Sequence, residues 1–134
     1  MTDGEPPILS VVAPDAGLAV LGELDAAAYQ RLDATAAQLS AGIEAAAVKA
    51  GVPMSVPRVG PLVGVFFTDR KPSNYDEAKE AADNGVYPRF FHGLLDRGVA
   101  IAPGAYEVLF PSLAHTDEDI DRTIQAVSEA LSAV

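Results

Sequence analysis

Residues 87–110 read YPRFFHGLLDRGVAIAPGAYEVLF, and the apolar period changes partway through the stretch. Tyr87, Phe90, Phe91, Leu94 and Leu95 fall at i, i+3, i+4, i+7 and i+8, the apolar stripe of an amphipathic helix. Pro88 stands near its start and Gly98 just past its end, where each is tolerated best. Beyond Gly98 the helical period stops. Val99 to Ala102 and Ala105 to Phe110 are short apolar runs around Pro103-Gly104, read as two strands. A helix feeding a pair of strands predicts an α+β fold.

The flanking sequence extends this pattern. On the carboxy-terminal side, Thr116 followed by Asp117, Glu118 and Asp119 gives an N-cap with acids in the first turn, where the helix dipole favours them. Ile120, Ile124, Val127, Leu131 and Val134 then recur at alternating spacings of four and three, a carboxy-terminal amphipathic helix. On the amino-terminal side, Tyr75 to Asp83 is a short polar helix and Asp69 to Asn74 a loop. Met54 to Val59 and Leu62 to Thr68 form two strands around Gly60-Pro61, with Pro57 assigning the first to an edge. Tyr29, Leu32, Ala36, Leu39, Ile43 and Ala46 make one stripe on a long Ala-rich helix that Gly51 and Pro53 stop, preceded by a helical turn around Leu18 to Leu24. The expected architecture is a three- to four-stranded, mainly antiparallel sheet with helices packed on one face. Residues 1–15, bracketed by Pro6, Pro7 and Pro14, are expected to be an arm or an edge strand.

Composition narrows the function. The 134 residues carry 9 Lys+Arg against 19 Asp+Glu, a formal net charge of −10, with no Cys and 2 His. A single domain with a sufficient core is expected. Disulfides and thiolate metal sites are excluded. The basic residues are scattered from Arg31 to Arg122, which argues against nucleic acid and against anionic membranes. The apolar run Ile8 to Ala13 lacks a basic leader, and no stretch approaches the ~20 apolar residues of a membrane span, so a cytoplasmic setting is expected.

Few residues stand out as chemistry. His92 lies on the flank of its helix and is read as a boundary residue, and His115 as one that orients the turn before Thr116. Asp117, Glu118, Asp119 and Asp121 lack the glycine and spacing of a calcium loop, and capping explains them better. Asp76, Glu77, Glu80 and Asp83 read as a solvated helix face. Glu107 is the exception. Alternation sets Tyr106, Val108 and Phe110 on one face of their strand and Glu107 with Leu109 on the other. If the aromatic face packs on the helices, Glu107 points out of the opposite one, and spacing leaves a solvated and a functional carboxylate equally open.

The segment YPRFFHGLLDRGVAIAPGAYEVLFPSLAHTDEDIDRT, residues 87–123, closely resembles the carboxy-terminal part of glutamate-1-semialdehyde 2,1-aminomutases, which are class III aminotransferases dependent on pyridoxal phosphate. AGLAVLGELDAAAYQRLDA, VGVFFTD and YDEAKEAAD agree in the same order, so the likeness covers residues 16–134 as the family's small domain and leaves 1–15 outside. The resemblance implies conversion of glutamate-1-semialdehyde to 5-aminolevulinate, for tetrapyrrole synthesis. It also implies that Glu107, in APGAYE, faces the substrate from the small domain. Gly104 stands where the family usually has Ser; Leu109 and Pro111 also depart from its pattern.

The family's Schiff-base lysine lies in a large domain that this sequence does not match. Lys49, Lys71 and Lys79 are this chain's lysines, and none sits in a recognisable cofactor segment. The expectation is therefore no catalytic and no cofactor-binding residue here, no metal, and no pyridoxal phosphate bound by this chain alone. Its implied partners are a large cofactor-binding domain or a second copy. The alternative is a non-catalytic module that keeps the fold and binds a partner. Another class III aminotransferase is disfavoured, because those commonly place a cation near the site where APGAYE offers an acid.

Overall fold

A computed structural model describes the backbone of residues 8–134 and the side chains from Pro14 onward. The element order is α1 (Ile8–Glu23), α2 (Ala26–Ala50), β1 (Arg58–Val59), β2 (Leu62–Val63), α3 (Tyr75–Asp83), α4 (Val86–Leu95) and α5 (Asp117–Leu131). Among the described residues the fold is mostly helical, and the sheet is one two-stranded antiparallel hairpin. Among the described residues, no helix is long and apolar enough to cross a membrane.

The helices follow their sequence signals closely. Asp25 separates α1 from α2 and caps the latter, its carboxylate accepting from the Ala28 N–H at 2.8 Å. Thr116 and Asp119 form a reciprocal capping box on α5. Gly98, at φ 78°, takes the left-handed conformation that ends α4 and lets the Val99 N–H return to the Leu94 carbonyl.

The core forms where α2 and α4 meet α5. Ala36, Leu39, Ile43, Ala46 and Ala47 of α2 are buried against it, with Ile120, Val127, Ala130 and Leu131 of α5 and Phe90 and Leu94 of α4. Val56, Val63, Val65 and Phe67 of the hairpin region close the other side. Each large apolar side chain buried here contributes roughly 1.5–3 kcal/mol of transfer free energy. Close approach is built in by small residues: a Cβ on Gly42 would stand 2.3 Å from Ile124 Cδ1, and one on Gly93 3.1 Å from the Ala130 Cβ. Tyr29, expected on the α2 stripe, lies before the packed turns and is 51% exposed.

The sheet is smaller than expected. β1 and β2 pair Arg58 with Val63 and Val59 with Leu62, and the remaining pairing is two isolated bridges, Ser55 with Phe66 and Val63 with Leu109. Pro57, Pro61, Pro103 and Pro111 lack the N–H that a ladder needs, and they interrupt both apolar runs. Residues 99–102 belong to no strand, and 103–106 form a bend and turn. The amino-terminal expectation also changes. Residues 1–7 lie outside the described residues, while 8–15 are helical within α1, with Pro14 inside it. Among the described residues no strand pairs with this segment, and helix satisfies its backbone locally.

Candidate functional site

Glu107 lies in the loop between α4 and α5, on the turn that follows Pro103-Gly104. Its N–H donates to the Gly104 carbonyl at 3.1 Å, and its side chain is exposed. A Cβ on Gly104 would meet Glu107 Cγ at 3.5 Å and Oε1 at 3.8 Å, so the Glu107 side chain lies back over the bare glycine. The carboxylate forms no ion pair among the described residues.

Two contacts anchor this turn to the core. On one side, the buried Tyr87 of α4 donates its hydroxyl proton to the Ala102 carbonyl at 2.7 Å. On the other, Leu109 and Val63 exchange both backbone hydrogen bonds, at 2.8 and 3.2 Å. The condition on the reading of the faces, that the aromatic face packs on the helices, is therefore not met. Leu109 packs against the core, whereas Tyr106, Val108 and Phe110 are 51, 37 and 66% exposed. Glu107 directly follows the turn at 103–106 and lies outside any pairing, whereas Leu109 is bridged to Val63, so the two do not share an environment. The exposed Tyr106 ring instead stacks on Tyr75 of α3, with centroids 6.0 Å apart and planes 19° from parallel.

Electrostatics near the turn is mild. Burial, and then the nearby Glu107 carboxylate, push the Tyr87 phenol above its ordinary value of 10.0. Lys79, hydrogen-bonded to Asp83 on α3, is held above its usual value of 10.5 by that partner. Beside the turn, a cleft of about 270 Å³ runs between residues 99–102 and 108–111, floored by Leu39 and Ile120, with His115 at its edge.

The other sequence candidates have structural partners. His115 Nδ1 accepts from the Ser112 N–H at 2.9 Å, which orients the turn before α5 and places the neutral ring's proton on Nε2. His92 is exposed, edge-on to Phe91. Asp119 accepts from the Thr116 N–H and hydroxyl at 2.8 and 2.7 Å, and Glu77 from the Ser73 N–H and hydroxyl at 2.8 and 3.0 Å. Tyr87 is the site residue that pattern reading missed, because it was counted as one more apolar position of α4. The available signal was its hydroxyl, since a buried tyrosine needs a partner.

Pyridoxal phosphate can be tested against these residues directly. A covalent imine needs a lysine in a preorganised pocket. Lys49, Lys71 and Lys79 are exposed, Lys79 is occupied by Asp83, and none borders the cleft beside the turn or the polar cleft between Arg70 and Asn84. Among the described residues, no lysine stands in a pocket of the kind the cofactor's imine needs.

No family model matches the chain. It is 41% identical over 122 residues to a glutamate-1-semialdehyde 2,1-aminomutase of Thermus thermophilus, and 44% identical over 121 residues to one of Brevibacillus brevis. Each match takes 90% of this chain and 28% of the relative, so the chain spans little more than a quarter of the curated relatives it matches. Among solved structures, it is similar to a glutamate-1-semialdehyde aminomutase from Pseudomonas aeruginosa PAO1 in complex with PMP. The TM-score is 0.72 at 28% identity, covering 80% of this chain and 23% of that one. An omega-transaminase from Sphaerobacter thermophilus gives a TM-score of 0.71 at 25% identity, covering 87% and 26%. The chain is thus homologous to one part, about 28%, of the glutamate-1-semialdehyde aminomutases, and has the class III aminotransferase fold over that part.

Proposed function

We propose that these residues are the carboxy-terminal small domain of a pyridoxal phosphate-dependent aminomutase that converts glutamate-1-semialdehyde to 5-aminolevulinate. In this reading the domain works in the cytoplasm with a larger cofactor-bearing part, and Glu107 is its substrate-facing group. The observation that carries the proposal is the homology over 90% of the chain, which includes the turn presenting an exposed Glu107. A carboxylate there suits a substrate that carries an amino group, through a charge-assisted hydrogen bond.

The reading makes the 134-residue chain inactive by itself, for want of a suitable lysine. Mixed with pyridoxal phosphate, it is expected to show no imine absorbance and no 5-aminolevulinate. A chimera in which it replaces the matching part of the Thermus thermophilus relative is expected to turn over, and Glu107→Gln to lower kcat/KM roughly 10- to 100-fold, the loss of a charged contact. Turnover by the 134 residues alone would overturn the proposal.

One observation favours a second reading, a partner-binding module. Leu18, Val20 and Leu21 of α1 are 67, 59 and 64% exposed, an apolar surface of the kind that marks association. A specific complex with an unrelated protein, together with an inactive chimera, would favour it.

A further inference from the structure

We propose that Tyr87 is a positioning residue for Glu107: its hydroxyl, fixed in the core, holds the Ala102 carbonyl and so sets where the following turn places the carboxylate. The inference rests on the substrate-facing reading of Glu107 and adds a residue to it.

Three observations converge on Tyr87. Its ring is 4% exposed and wedged edge-on between Phe67 and Phe90, with centroids 6.4 and 6.3 Å away, which leaves the phenol little freedom. Its hydroxyl reaches the Ala102 carbonyl at 2.7 Å, immediately before Pro103-Gly104. The turn itself has few other fixings on that side. Glu107 N–H to Gly104 carbonyl closes it internally, Ala105 packs on the core, the Tyr106 ring stacks on Tyr75, and the next hydrogen bond to the core is that of Leu109 with Val63. Gly104, lacking a side chain, offers Glu107 neither a hydrogen-bond donor nor a steric stop. The hydrogen bond that ties the amino-terminal side of the turn to the core is therefore that of Tyr87. That anchor sits close enough to Glu107 for its phenol to sense the carboxylate charge.

The chain itself supplies the first test. In Tyr87→Phe, amide exchange at Glu107 is expected to quicken roughly fivefold or more, the usual weight of one hydrogen bond, while amides of Leu94 and Val127 keep their rates. Unchanged exchange at Glu107, or equal acceleration everywhere, would overturn the proposal. In Glu107→Gln, the Tyr87 phenol is expected to ionise at lower pH by ultraviolet absorbance; an unmoved midpoint counts against the juxtaposition. In the chimera, Tyr87→Phe is expected to raise KM and leave kcat near its starting value, and to have no effect in the Glu107→Gln background. An equal effect in both backgrounds would show that Tyr87 acts on general stability. If Glu107→Gln leaves turnover untouched, the substrate-facing reading falls, and the exchange and absorbance results then judge the brace separately.

Discussion

Gly42 shows how much one missing methyl group can decide. Its α carbon faces Ile124 so closely that a Cβ would stand 2.3 Å from Cδ1, 2.6 Å from Cγ1 and 3.1 Å from Cγ2. The β-branched side chain cannot swing aside as a unit. Gly42→Ala is therefore expected to destabilise the chain by about 1–3 kcal/mol despite the better helix propensity of Ala, read as a lower urea midpoint. At Glu107 the sequence was informative about identity and silent about placement. A lone carboxylate in an apolar run was visible. Its environment was not, because alternation holds only while backbone pairing holds, and in residues 99–110 the one paired residue is Leu109, bridged to Val63. That bridge holds Leu109 inward, while Phe110 beside it is exposed.

At the scale of elements, α5 carries its own pH dependence. The Thr116 N–H and hydroxyl hold the Asp119 carboxyl below its ordinary 3.8, Ser73 does the same for Glu77 below 4.5, and Gln125 with Arg97 for Glu129. A folded value below the unfolded one means the contribution is present above the ordinary carboxylate range and is lost as pH falls through the lowered values. Urea midpoints should therefore fall in acid. Asp119→Ala should lower the neutral midpoint and flatten the acid limb, and an unchanged limb would remove the box from the account. Helices α2 to α5 were legible because stripes and start or stop signals lie within or beside each element, whereas α1, with Pro14 inside it, carries no such pattern. Strands were not, because pairing partners are remote and four prolines withdraw donors that apolar composition cannot reveal.

Across the whole molecule, a formal net charge of −10 is opposed by three exposed ion pairs, Arg58 with Asp33, Lys79 with Asp83 and Arg97 with Glu129, among the described residues. Exposed pairs contribute about 0–1 kcal/mol each, while self-repulsion acts on the whole surface and is screened beyond ~8 Å at physiological salt. Added sodium chloride is thus expected to raise the thermal midpoint; a fall would show that the ion pairs outweigh the repulsion. The packing of α2 on α5 also has a consequence during synthesis. Gln38 and Asp121, which hydrogen-bond across it, are 83 residues apart, and at roughly 5–20 residues per second a ribosome needs on the order of 4–17 s to cover that interval. Throughout it, the Leu39 and Ile43 stripe has emerged without its cover, which makes the nascent chain, rather than the finished fold, the form most exposed to aggregation and most dependent on a chaperone.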